Sequence, residues 1–226
     1  MGNKGNNRHI KRLASPRYMH VAKKVDAYII KPNAGRHTRA TSIALSTVLK
    51  EKLGMVGSSK EARNVIRRGN VEVNGKVIKD ERFPVGFGDV IKPKSGNETY
   101  LISVGNRGMM SIDKRGSESK QVLKVVGKYI SKGNKEMIRL YNGVVMQSPG
   151  NVHVNDSVVI GNGKVDKVIK LEAGAKCLIV KGVHASDTGT ISAIKPGTAL
   201  RDATVEIKGK SGTAETLLDN VMVIGD

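Results

Sequence analysis

The residues best placed to do chemistry in this chain are cations spaced to grip an anion. Lys60, Arg63 and Arg67 recur at intervals of three and four, which puts them along one face of a helix. Ser58-Ser59-Lys60-Glu61 has the form of a capping box that opens such a helix, and Gly69 closes it. Arg68 adds a charge at the end of the helix. The tight turn that follows presents Lys76 beside it. The planar fork of arginine suits phosphate oxygens two at a time, so the pattern reads as a phosphate clamp. A merely solvated helix face is the plain alternative for any single run of charge.

No constellation points to catalysis. Gly54-Met55-Val56-Gly57-Ser58-Ser59-Lys60 bears glycines but lacks the Gly-Lys-Ser/Thr ending of a phosphate-binding loop. No His-Glu-x-x-His occurs, and the histidines are scattered among cations. The neighbours Asp80 and Glu81 have no apolar setting to separate their roles and read as surface charge. Cys177, the only cysteine, lies in the run Lys-Cys-Leu-Ile-Val and reads as a buried structural thiol. We expect no catalytic residue, no metal, no cofactor and no small-molecule substrate.

Bulk charge supports an anionic partner. The 226 residues carry 39 Lys plus Arg against 20 Asp plus Glu, a net charge of +19. Such an imbalance calls for a polyanion, most commonly nucleic acid. A membrane surface would need amphipathic anchors or lipidation. Trp is absent, Phe occurs twice, and Met1-Gly2 is not followed by Ser or Thr at position 6. With neither a signal peptide nor a long apolar run, the chain reads as cytoplasmic. The charge is graded: net +9 over residues 1–40, +5 over 41–95, +5 over 96–173 and zero over 174–226.

The elements that must position these cations follow from periodicity. Residues 1–40 read as a basic arm, broken by Pro16 and Pro32 and poor in apolar pattern, which would order on its partner. Residues 41–95 hold a first helix capped by Thr41 or Ser42, with the stripe Leu45, Val48, Leu49 and Leu53. The clamp helix and the hairpin 71–78 follow, the hairpin turning on Asn74-Gly75 as a type I′ turn requires. From residue 83 the pattern is one of short strands: 89–92, 99–104, 109–112, 122–130, 137–140, 144–147, 157–160, 165–171, 176–180, 190–194, 205–208 and 221–224. Regular short strands suggest small barrels. The fold class is therefore α+β and multidomain: arm 1–40, a helix-and-hairpin domain 41–95, which the resemblance given below makes an S4-like RNA-binding domain, a central β-rich domain 96–173 and a small C-terminal β-barrel 174–226.

The order helix, Gly69, Val-Glu-Val-Asn-Gly-Lys, then Val85-Gly86-Phe87-Gly88-Asp89 resembles the S4-type RNA-binding domain. Arg8-His9-Ile10-Lys11-Arg12-Leu13-Ala14-Ser15-Pro16, with Gly35-Arg36-His37 later, is similar to the opening of the ribosomal protein S4e family. Lys176-Cys177-Leu178-Ile179-Val180-Lys181-Gly182 with Gly189-Thr190-Ile191 resembles the KOW motif, although its turn, His184 to Thr188, departs from the pattern. The absence of an extension after Asp226 matches the archaeal-type members.

The resemblance implies a structural protein of the small ribosomal subunit, in the cytoplasm, that supports translation. Its partners would be small-subunit ribosomal RNA and neighbouring ribosomal proteins, with no homo-oligomer. The candidate RNA contacts are Lys4, Arg8, His9, Lys11, Arg12, Arg17, Arg36, His37 and Arg39 in the arm. In the S4-like domain they are Lys60, Arg63, Arg67, Arg68, Asn74, Lys76 and Lys79, and in the KOW-like segment Lys181 and Gly182. An RNA-modifying enzyme with an S4-like module would need an Arg-Leu-Asp setting, which does not occur. A free KOW-bearing transcription factor would not need the basic arm.

Overall fold

The computed structural model describes residues 9–96, 98–116, 120–161, 163–209 and 212–225. They fall into two compact units, one within Met1–Ser103 and Met109–Ser117, the other within Val104–Gly108 and Glu118–Asp226.

The first unit opens with strand β1 (His9–Lys11), paired antiparallel with β2 (Tyr28–Ile30). Strand β3 (Ser42–Ala44) leads directly into the short helix α1 (Leu45–Thr47), which widens into a π-type turn over Val48–Lys52. The clamp helix is α2 (Ser59–Arg67). Strands β4 (Val71–Val73), β5 (Lys76–Val77), β6 (Pro84–Gly86), β7 (Val90–Pro93), β8 (Thr99–Val104) and β9 (Met110–Arg115) complete the unit. The sheet order is β5-β4-β7-β8-β9, and β3 pairs separately with β6.

Two expectations change here. Residues 9–40 are not an arm waiting for a partner, because Met19, Val21 and Ile29 are buried in the same core as Leu45, Leu49, Ile66 and Ile91. Met19 lies in a short 3-10 turn, Val21 outside any element and Ile29 in a three-residue strand, so no run long enough to show a period marks them. The first helix also starts later than expected. Ser42 is buried in β3, where Ile43 lies opposite Val85, and it caps nothing. The stripe itself behaves as its spacing requires: Leu45, Val48 and Leu49 are buried and Leu53 packs against them.

The second unit is all β among its described residues apart from short 3-10 turns. Its strands are β10 (Gln121–Ser131), β11 (Lys135–Leu140), β12 (Val145–Gln147), β13 (Ser157–Gly161), β14 (Lys164–Ile169), β15 (Lys176–Ile179), β16 (Thr188–Lys195), β17 (Thr204–Gly209), β18 (Gly212–Leu217) and β19 (Val221–Val223). They form two five-stranded sheets, ordered β12-β11-β10-β13-β14 and β18-β17-β16-β15-β19. Each has its own apolar cluster, one around Leu123, Val125, Ile138 and Val158, the other around Cys177, Ile179, Ile191 and Ile207. The expected C-terminal barrel is an open sheet, with β18 and β19 as its edges. Strand β18 is not among the expected strands because Thr-Ala-Glu-Thr offers little β-branched apolar pattern.

Candidate nucleic-acid interface

The α2 region is built from local signals that work as read. The Ser58 hydroxyl accepts a hydrogen bond from the Glu61 amide at 3.1 Å, and the Glu61 carboxylate accepts from the Gly57 amide at 2.9 Å. The first bond satisfies one helix-start donor, and the reciprocal bond from the glutamate falls on the residue just before the cap. Ala62 and Ile66 bury the inner face. Gly69 takes the left-handed conformation at φ 74° and ends the helix. Asn74 and Gly75 both have positive φ, as the turn requires.

That construction leaves Lys60, Arg67 and Arg68 on the outer side of α2, exposed and without an ion pair among the described residues. Lys79 joins them. A Cβ placed on Gly69 would lie 3.1 Å from Val77 Cγ1 and 3.8 Å from Lys79 Cε, so the segment after the hairpin packs over the helix end. Lys76 is exposed on β5. Arg63 differs: its Nε donates to the Glu81 carboxylate. Glu81 therefore offsets one charge of the row.

Three expected contacts turn inward. Arg12 is 3% exposed; its guanidinium donates to the Glu51 carboxylate, to the Ala22 carbonyl at 2.8 Å, and lies 3.6 Å from Asp26. His37 is buried against Asp89, Nε2 to Oδ2 at 2.7 Å. Asp89 also accepts from the Gly86 amide at 3.0 Å and from Asn74 Nδ2 at 2.7 Å, while Asn74 Oδ1 accepts from the Val90 amide. A buried carboxylate must be met by donors in this way. His37 and Asn74 are thus the inner partners of the Val85–Asp89 loop, and Gly86 must lack a side chain because a Cβ there would sit 2.6 Å from His37 Nδ1.

His9, Lys11, Arg17 and Arg39 are exposed, whereas Lys4 and Arg8 lie outside the described residues. Arg36 stands 6.0 Å from the centroid of the Phe83 ring, a cation–π geometry. It lines a cleft of about 470 Å³ with Lys31, Arg39 and Arg82. Lys31 and Arg82 are not legible as a pair in the sequence, since the fold joins them across 51 positions, Arg82 Nε to the Lys31 carbonyl at 3.1 Å. In the second unit Gly182 has φ 99°, and Lys181 Nζ lies 5.2 Å from the Tyr141 ring centroid.

Among the described residues no three His, Cys, Asp or Glu side chains group as metal ligands would. Burial pushes the Cys177 thiol up to about 11, partly countered by its bond with the Gly189 backbone. A thiol so protonated is no nucleophile at neutral pH.

Comparison with known proteins places the chain among ribosomal relatives. The family model "S4 domain" matches residues 45–91, the span of α1, α2 and the hairpin. Small ribosomal subunit protein eS4 of Methanosphaera stadtmanae is 33% identical over 100% of this chain and 95% of its own length. The eS4 protein of Natronomonas pharaonis is also 33% identical, over 96% of this chain and 95% of its own length. The crystal structure of 30S ribosomal protein S4e from Thermoplasma acidophilum superposes with a TM-score of 0.67 at 28% identity, covering 82% of this chain and 96% of that one.

Proposed function

Because the chain belongs to the eS4 family of small ribosomal subunit proteins, we propose that it binds and stabilises folded ribosomal RNA through the outer face of α2 and the hairpin beside it. The role is structural and not enzymatic, and its place is the small subunit of the cytoplasmic ribosome. One observation carries the reading: Lys60, Arg67, Arg68 and Lys79 are exposed and have no ion-pair partner among the described residues, on a rigid helix and the segment packed over its end. Cations carried on such a frame meet phosphates with little further loss of backbone freedom. Lys76 on β5 belongs to the same interface, and Arg63 contributes to it through only part of its charge.

The exposed basic residues of the first 40 positions extend the contact. Among those described, His9, Lys11, Arg17, Arg36 and Arg39 face outward or line the basic cleft, and Lys31 and Arg82 join the set. Arg12, His37 and Asn74 leave it, because bonds to Glu51, the Ala22 carbonyl and Asp89 hold their side chains inside the unit.

A KOW-like role for β15, β16 and the turn between them is supported by two glycines. Gly182 holds a positive φ, and a Cβ on Gly189 would lie 2.5 Å from the Lys208 carbonyl oxygen. Lys181 and Gly182 would offer a smaller contact there. The neutral balance of residues 174–226 suits neighbouring proteins as well as RNA.

Binding of small-subunit ribosomal RNA as a function of salt tests the main reading. Every phosphate that the protein ceases to neutralise should flatten the slope of log K against log salt by about 0.7–0.9. The triple variant Arg67→Ala, Arg68→Ala, Lys79→Ala should therefore lose about 2–3 from that slope, and Arg63→Ala less than one. An unchanged slope in a variant with native circular dichroism would refute the clamp.

A further inference from the structure

The β10–β11 hairpin carries a feature that the α2 interface does not use. Leu123 and Val125 of β10 are fully buried, yet further along the strand Tyr129 is 47% and Ile130 68% exposed. Adjacent strand residues point to opposite faces, so both faces of the hairpin end are uncovered.

The two faces differ in charge. On the Ile130 side, Lys128 Nζ is 2.9 Å from a Glu136 carboxylate oxygen, which leaves that face balanced. On the Tyr129 side, the register sets Ser131 opposite Lys135, Tyr129 opposite Met137, and Gly127 opposite Arg139. Gln147 and Val145 of β12 extend the last two rows. No acidic residue stands in these rows. Arg139 and Lys135 are exposed, with no ion-pair partner among the described residues, and the same holds for Lys132 in the turn. The Arg139 guanidinium lies along the strand pair, its Nη2 3.7 Å from where a Gly127 Cβ would be. An open aromatic ring thus sits with a cation one row away on each side, at about 7 Å along the strand.

We propose that this face binds a single-stranded segment of RNA, with one unpaired base stacked on Tyr129 and the flanking phosphates held by Arg139 and Lys135. A tyrosine ring offers every base a stacking surface, and basic neighbours hold the backbone without reading sequence. Base-paired RNA keeps its bases inside the helix and has nothing to place on the ring. An acidic protein segment would answer the cations alone. Gly127 has a part in this: with no side chain of its own, it leaves the surface over which Arg139 lies.

The contact is separate from the α2 interface, and the experiment keeps them apart. The full-length triple variant lacking Arg67, Arg68 and Lys79 is the background. The probes are an unstructured cytidine–adenosine repeat of about 12 nucleotides carrying one 4-thiouridine, and a 16-base-pair RNA duplex. These lengths match what one small β module and one duplex-binding surface cover. Irradiation should crosslink the single strand to the peptide containing Tyr129. Tyr129→Ala should weaken single-strand affinity about tenfold, Tyr129→Phe should retain it, and duplex affinity should be the same in all three. Circular dichroism confirms the fold of each. The proposal is overturned if no crosslink maps to β10 or β11, if the alanine and phenylalanine variants bind alike, or if duplex binding falls as far as single-strand binding.

Discussion

Arg12→Ala separates a core residue from an RNA contact. By composition Arg12 belongs to a basic segment and its loss should weaken RNA binding. By geometry its side chain is 4% exposed and its guanidinium is shared between the Glu51 carboxylate and the Ala22 carbonyl, with Asp26 at 3.6 Å. Removing one member of a buried ion pair costs roughly 3–5 kcal/mol, since the other is left charged and unmet. Glu51 keeps 19% exposure and recovers some hydration, which lowers the expected cost to about 2–4 kcal/mol. That is a large share of a typical domain stability of about 5–15 kcal/mol.

Hydrogen exchange of the full chain reads this effect locally. The Arg12 amide donates to the Ala27 carbonyl at 3.0 Å and the Ser15 amide to the Arg12 carbonyl at 3.1 Å. Their protection should fall about 30- to 700-fold, taking about 1.4 kcal/mol per factor of ten, up to the limit set by global unfolding. The Leu123 amide, in the second unit, serves as the internal reference. Replacing both partners, as Arg12→Met with Glu51→Leu, should restore much of the protection, because no charge is then left buried. Unchanged protection together with weaker RNA binding would refute the reasoning and return Arg12 to the RNA interface.

Two further outcomes follow from buried groups in the second unit. Lys124 is 3% exposed and donates from Nζ to the Leu218 carbonyl at 2.7 Å. Burial lowers its pKa to about 8, against the pull of Asp219 and with a smaller push from Lys181. The folded state then binds fewer protons than the unfolded between pH 8 and the ordinary lysine value of 10.5. Stability should rise with pH across that window, and urea midpoints should lose this rise in Lys124→Met. Cys177, whose thiol titrates at about 11 because it is buried, should not react with a disulfide reagent at pH 8 until the protein unfolds. Rapid labelling of the native protein would contradict its place in the core.

The positions of α2, the Asn74-Gly75 turn and most strands of the second unit were determined by the sequence itself. Each rests on a short-range rule: a capping serine with glutamate three residues on, a residue pair that tolerates positive φ, or alternating burial along a strand. The same rules set the spacing of Lys60, Arg63 and Arg67. Tertiary structure decided what those cations and their neighbours can do. Glu81 reaches Arg63 from 18 positions away, Asp89 reaches His37 from 52, and Glu51 reaches Arg12 from 39. It also drew Met19 and Ile29 into the first core and brought Lys31 beside Arg82. Local pattern encodes which backbone conformation is cheapest; it carries no record of which distant carboxylate will meet a given cation. A basic residue therefore announces charge in the sequence, and only packing determines whether that charge faces a phosphate or a buried glutamate.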